Sequence, residues 1–149
     1  MEKTEERELF ITRVFDAPRE LVFRVWTQPK HVMSWWGPKG FTMTSWTIDL
    51  RLGGAWRGCI RSPDGLDYWA QGEYREIVPP ERLVFTFAWD DAHNQPTNQM
   101  LVTIGFADYG GKTKFTFRQT PFERVEDRDG HVEGWSQSFD RLATHLAEL

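Results

Sequence analysis

The sequence predicts an α+β domain in which one antiparallel β-sheet is covered on a single face by one long C-terminal helix. Three observations predict it. Trp135, Phe139, Leu142, Leu146 and Leu149 recur every three or four residues, which puts all five on one side of an α-helix. From Phe41 to Phe122, β-forming residues come in short runs, and each break between runs carries turn chemistry. Alternation along those runs gathers apolar side chains on one sheet face, so one amphipathic helix suffices to cover it.

Taken in order, Leu9 to Asp16 reads as a strand that stops at Ala17-Pro18. Pro18 suits the first turn of a helix, and Asp16 is placed to accept hydrogen bonds from the unpaired amides there. That helix runs to about Trp26, and Pro29 opens a second short one to about Trp35. Gly37, Pro38 and Gly40 then impose a loop. Its two preceding tryptophans, Trp35 and Trp36, cannot face the same way, so one plugs the core and the other sits near an opening. Strands are expected at 41–50, 54–61, 67–78, 82–90, 98–107 and 112–120. They are separated by Gly53-Gly54, Pro63-Asp64-Gly65, Pro79-Pro80-Glu81, a polar loop at 90–96 and Gly110-Gly111. Such short connections make antiparallel neighbours, hence a meander. The charged stretch 122–130 leads into a final helix from about His131.

Strict alternation puts Phe41, Met43, Ser45, Thr47 and Asp49 on one face of their strand and Trp46, Ile48 and Leu50 on the other. Leu83, Phe85, Phe87 and Trp89 form an apolar set, as do Val102, Ile104 and Phe106. A long curved sheet gripping one helix leaves space between them, walled here by aromatic rings.

Composition bounds the function. The chain has 149 residues, enough for one domain, and 40% are hydrophobic, enough for one core. Aromatic residues make up 15%, eight of them Trp, which favours large apolar contacts in a core or around a ligand. A net charge of −4 argues against the basic face that nucleic-acid binding needs and against anchoring to an acidic membrane. Cys59 is the only cysteine, so neither an internal disulfide nor a four-cysteine zinc site is possible. No apolar run approaches the roughly 20 residues of a membrane span, and the first eight residues are charged rather than apolar. The expectation is a cytoplasmic protein with a charged, disordered arm over 1–8 and a single domain over 9–149.

Catalytic and metal signatures are weak. His31, His93, His131 and His145 stand in no recognised ligand spacing, so no metal and no cofactor are expected. Cys59, between Arg57 and Arg61, points away from the face shared by Trp56, Gly58 and Ile60 and reads as inert packing. Asp49, Glu73 and Glu76 are the strand carboxylates that a cyclase-like enzyme could use, and outward, solvated positions are the default for each. No catalytic residue is assigned. The aromatic lining is the best signal. Trp36, Phe41, Trp56, Phe87, Trp89, Met100, Trp135 and Phe139 are the candidates for a sheet–helix cavity, with Gly58 leaving volume between Trp56 and Ile60. Arg57, Tyr68, Tyr74 and His131 are candidates for a polar mouth that orients the ligand.

The order of elements, together with several short motifs, resembles a known family. The motifs are Asp16-Ala17-Pro18-Arg19-Glu20-Leu21-Val22-Phe23, Trp35-Trp36-Gly37-Pro38, Gly40-Phe41-Thr42, Asp49-Leu50-Arg51 with Gly53-Gly54, Pro79-Pro80-Glu81-Arg82-Leu83, and Gly134-Trp135 with Leu142. Over about 9–149 the chain resembles the SRPBCC (START-like, Bet v 1-like) superfamily, and within it bacterial relatives of the C-terminal domain of the activator of heat-shock protein 90 ATPase. The resemblance implies a helix-grip fold, β-α-α-β6-α, and the cavity typical of lipid and hormone carriers, polyketide cyclases and plant ligand-binding proteins. The leading expectation is a binding protein for a small hydrophobic or aromatic molecule. A surface that acts on a chaperone or other protein, and a cyclase-like enzyme, are the alternatives. A monomer and a homodimer both remain open.

Overall fold

The computed structural model describes residues 4–149. The elements are β1 (Leu9–Phe15), α1 (Arg19–Thr27), α2 (Pro29–Trp35), β2 (Thr42–Ile48), β3 (Ala55–Arg61), β4 (Asp67–Val78), β5 (Arg82–Trp89), β6 (Met100–Tyr109), β7 (Lys112–Thr120) and α3 (Val125–Ala147). The strands form one seven-stranded sheet in the order β1-β7-β6-β5-β4-β3-β2, and every neighbouring pair is antiparallel. From β2 to β7 the chain is the expected meander. β1 lies at the opposite edge, because α1 and α2 carry the chain across the sheet before β2 begins.

The α3 stripe does what its period predicts over most of its length. Trp135, Phe139, Leu142 and Leu146 are buried, while Leu149 lies past the helix end and is exposed. Phe139 meets Phe115 and Phe117 edge-on at 5.1 and 5.2 Å, an arrangement that adds to plain area burial. Trp26 of α1 stacks on Phe115 at 6.0 Å. Much of the sheet–helix interior is therefore filled with rings.

Three local expectations are corrected. α3 begins at Val125 rather than near His131, and the charged lead-in is its first turn, where Glu126 and Asp127 suit the positive end of the helix dipole. The N-cap of α1 is Pro18 without a side-chain capping bond; its carbonyl accepts from the Leu21 and Val22 amides instead of Asp16 doing so. The disordered arm over 1–8 does not describe what is seen from Thr4 onward. Residues 1–3 lie outside the described residues, but Thr4–Arg7 forms a 3-10 turn. Arg7 exchanges backbone and side-chain bonds with Phe122, and Glu8 pairs with Arg118 at 2.8 Å.

Bulges between Met43 and Ser45 in β2 and between Tyr74 and Glu76 in β4 interrupt the register, which bends the sheet. The first also changes the faces. With one extra residue inserted, Met43 and Trp46 point the same way, and both lie over Gly58 of β3, whereas strict alternation had set them on opposite faces.

Candidate functional site

α2 ends at Trp35, and Trp36 is its extended C-cap residue. The change of backbone direction separates the two rings. Trp35 is fully buried, donates its indole N–H to the Val25 carbonyl at 3.0 Å and meets Trp26 at 4.7 Å. Trp36 turns toward the sheet and meets Trp135 edge-on at 5.5 Å. Gly37, at φ +119°, then reverses the chain into the loop 37–41.

One cavity of about 460 Å³ opens between that loop, the N-terminal half of α3 and the ends of β3, β4 and β5. The loop contributes Trp36, Pro38 and Phe41, and the strands contribute Ile60, Tyr68 and Trp89. α3 contributes Trp135 at the base and His131, Glu126 and Asp127 toward the mouth. The volume exists because α3 presents Gly130 and Gly134 there, one turn apart, with no side chain. A Cβ at Gly130 would meet nothing within 4 Å, and one at Gly134 would lie 3.5 Å from Pro38 Cγ.

The loop is clamped from behind by α3. Arg141 donates through Nη1 to the carbonyls of Gly37, Pro38 and Phe41 at 2.9, 3.1 and 3.1 Å. Ser138 Oγ accepts from the Gly37 amide at 3.1 Å, and Gln137 Oε1 accepts from the Lys39 amide at 3.0 Å. Arg141 and Gln137 lie outside the apolar stripe of α3, and the loop lies over that edge and uses them. Arg141→Met keeps the aliphatic stem and removes the charged donor. We expect it to destabilise the protein by about 2–3 kcal/mol in urea denaturation, the usual loss when hydrogen bonds from a charged group are deleted.

His131 closes the cavity's polar side. Its Nδ1–H donates to the Asp127 carbonyl at 2.8 Å, and its Nε2 accepts the Trp89 indole N–H at 2.8 Å. Both ring nitrogens are engaged only in the neutral Nδ1–H tautomer. Burial pulls the pKa of His131 below its ordinary value, outweighing the raising effect of Asp127. Burial, then the neighbouring His145, does the same for His31, whose Nδ1 lies 2.9 Å from His145 Nε2. A histidine depressed in the folded state gives stability that is complete above the unfolded pKa of about 6.5. That stability is lost as pH falls from there toward the folded value. The urea midpoint should therefore drop between pH 7 and pH 5, and His131→Leu should flatten that drop without abolishing it, since His31 remains. An unchanged slope in the variant would show that His131 is not held neutral.

The sequence candidates divide into two groups. Trp36, Phe41, Trp89 and Trp135, with Tyr68 and His131, converge on the cavity. The others do not. Trp56, Phe87 and Phe139 are buried beneath it as packed core. Gly58 leaves no space, since a Cβ there would sit 2.7 Å from the Trp46 ring that covers it. Met100 is buried on β6, where its sulfur accepts from Gln119 Nε2 at 3.5 Å. Arg57 lies on the opposite sheet face, paired with Asp90 at 2.7 Å and resting on Trp69 at 4.7 Å. Tyr74 is buried against Phe85, and burial pushes its phenol pKa upward. Cys59 is buried and unbonded to any other cysteine. Among the described residues no group of three or more His, Cys, Asp or Glu side chains is placed to hold a metal ion, and no helix is long and apolar enough to cross a membrane. The sequence reading missed Gly130, Gly134, Ser138 and Arg141. They were visible only as small or polar residues beside the apolar stripe.

A curved seven-stranded antiparallel sheet gripping a long C-terminal helix defines the helix-grip class of α+β proteins. The family described as "Activator of Hsp90 ATPase homolog 1-like protein" matches residues 16–147, and the chain belongs to that family. A solved protein from Chromobacterium violaceum is 28% identical, with 94% of this chain and 96% of that one covered at a TM-score of 0.84. The AHSA1 protein from Silicibacter pomeroyi is 26% identical over 94% and 97% of the two chains, with a TM-score of 0.85. A solution structure from Arthrobacter aurescens, 23% identical over 100% and 91%, shares the fold at a TM-score of 0.87. No curated protein sequence matches the chain.

Proposed function

We propose that the protein binds a small hydrophobic or aromatic molecule in the cavity between α3, the loop 37–41 and the ends of β3–β5. The observation that carries this reading is the contrast between a ring-filled core and an open space of about 460 Å³ lined by Trp36, Phe41, Trp89 and Trp135. Pockets for small molecules are mostly apolar, with a few placed polar groups, and here those are His131, Tyr68 and the carboxylates at the mouth. At about 25 cal/mol per Å², a two-ring ligand burying roughly 200 Å² of apolar surface gains about 5 kcal/mol before the cost of immobilising it. That suits a carrier that must also release.

The test is titration with N-phenyl-1-naphthylamine, a neutral probe whose emission rises in apolar surroundings. A saturable one-to-one rise, with quenching of protein tryptophan fluorescence, is the expected result. Absence of saturable binding would overturn the reading, and so would binding that survives when the cavity is filled.

A further inference from the structure

We infer that the ligand of this cavity carries a protonated amine on its apolar body, seated at the mouth against Glu126 and Asp127 while aromatic faces line the path inward. The inference rests on the binding reading above and adds the charge of the ligand, which follows from a count of donors and acceptors around the wall.

Most donors facing the cavity are already engaged within the protein. Trp89 Nε1–H goes to His131 and Trp135 Nε1–H to Gln119, each at 2.8 Å. His131 Nδ1–H goes to the Asp127 carbonyl at 2.8 Å, and the Ser138 hydroxyl to the Gly134 carbonyl at 3.1 Å. Trp89 and Trp135 thus offer a ligand their π faces rather than their N–H groups, and the donors left at the wall, the Trp36 indole N–H and the Tyr68 hydroxyl, are uncharged. Among the described residues no Lys or Arg lines the cavity. Arg141 reaches only the back of the loop, where three carbonyls share its Nη1.

The acceptors, by contrast, are open. Among the described residues Glu126 forms no ion pair, and Asp127 has only a long one, 3.9 Å to Arg124 Nε. The helix terminus beside them supplies about half a positive charge, less than two carboxylates carry. A carboxylate ligand would meet two like charges, set against the single long contact of Arg124 with Asp127. An ammonium would find acceptors for its N–H groups and several aromatic faces, the pairing that cation–π attraction favours. His131, held neutral by burial and by its two bonds, adds no opposing positive charge near neutral pH.

The experiment is isothermal calorimetry at pH 7.5 and low salt with three probes of one shape: 1-naphthylmethylammonium, 1-naphthylmethanol and 1-naphthoate. The cation should bind about tenfold tighter than the alcohol, and the anion about tenfold weaker or not measurably. In the double variant Glu126→Gln, Asp127→Asn, checked for an unchanged circular dichroism spectrum, the cation should fall to the affinity of the alcohol while the alcohol is unaffected. If the alcohol binds but the cation gains nothing, or keeps its advantage in the double variant, the charge assignment is overturned and the cavity stands. An anion that binds best also overturns it. If none of the three binds, the binding reading itself fails.

Discussion

Replacing Gly134 with leucine should make the protein more stable and unable to bind the neutral probe. Glycine inside a helix is about 1 kcal/mol less favourable than alanine, and leucine is nearly as good as alanine. Position 134 is inside α3, and a Cβ there lies in ordinary contact, 3.5 Å from Pro38 Cγ. The remaining leucine carbons have only the cavity to enter, where they would cover ring faces of Trp36 and Trp135 that a ligand would otherwise cover. The expected outcome is a urea midpoint shifted upward and probe affinity reduced at least tenfold. Gly134→Ala separates the two effects, because it brings the helix gain with little loss of volume. If Gly134→Leu is more stable and still binds as tightly as the unaltered protein, the ligand site lies elsewhere. A glycine that costs stability within an otherwise regular helix is a position where empty space is itself the useful feature.

The elements were largely legible in the sequence because each is specified locally. Gly53-Gly54, Pro63-Asp64-Gly65 and Gly110-Gly111 end strands for reasons of backbone geometry, and Pro29 separates α1 from α2. The beginning of α3 was not legible, because Gly130 and Gly134 weaken helix propensity and the acids at 126 and 127 look like a loop until the helix dipole is considered. Faces were read correctly where pairing is regular and wrongly at Met43, where the bulge shifts the alternation by one.

The cavity was only half legible. Aromatic residues report that large apolar surfaces exist but not which of them are covered, so Trp36 and Trp56 looked equivalent although one lines a cavity and the other is core. The glycine that seemed to open space, Gly58, lies beneath Trp46, and the glycines that do open it are on the helix. A second pattern was available. Gly134, Ser138, Arg141 and His145 follow each other at four, three and four residues, the same period as the apolar stripe. Each meets the segment 31–41: Gly134 beside Pro38, Ser138 and Arg141 at the loop, and His145 at His31. A helical stripe of small and polar residues is hard to recognise as a contact face, because its partners are loop amides and carbonyls, a proline and a histidine rather than a hydrophobic surface.

Gly72→Ala should be among the most damaging single substitutions in the sheet. The β4–β5 pairing runs through Gln71 with Ala88 and resumes at Tyr74 with Phe85. Between them the Trp56 indole reaches across from β3 and donates Nε1–H to the Thr86 carbonyl at 3.0 Å, while the Glu73 amide donates to Thr86 Oγ1 at 2.8 Å. Trp56 and Gly72 face each other across β3 and β4, so the indole crosses where there is no side chain. A Cβ at 72 would lie 1.8 Å from the Thr86 carbonyl oxygen and 2.5 Å from Trp56 Nε1. The first of these atoms belongs to the backbone of a central strand, and the second to a buried ring packed against Phe85 and Phe87. Neither can yield alone. The strand must shift, at about 1–3 kcal/mol for overpacking, and the indole N–H must lose its acceptor, at a further 1–3 kcal/mol for a buried unpaired donor. A total loss of about 4 kcal/mol is a large share of a typical stability of 5–15 kcal/mol. It would lower the urea midpoint by roughly 2 M at a slope of about 2 kcal/mol per molar. Trp56→Phe provides the second measurement, since it deletes the donor and shortens the ring. In that background Gly72→Ala should cost clearly less, because one of the two obstructing atoms is gone. If the two losses simply add, the indole is not what position 72 must accommodate, and the crossing of Trp56 over Gly72 has no part in holding β3, β4 and β5 together beneath the cavity.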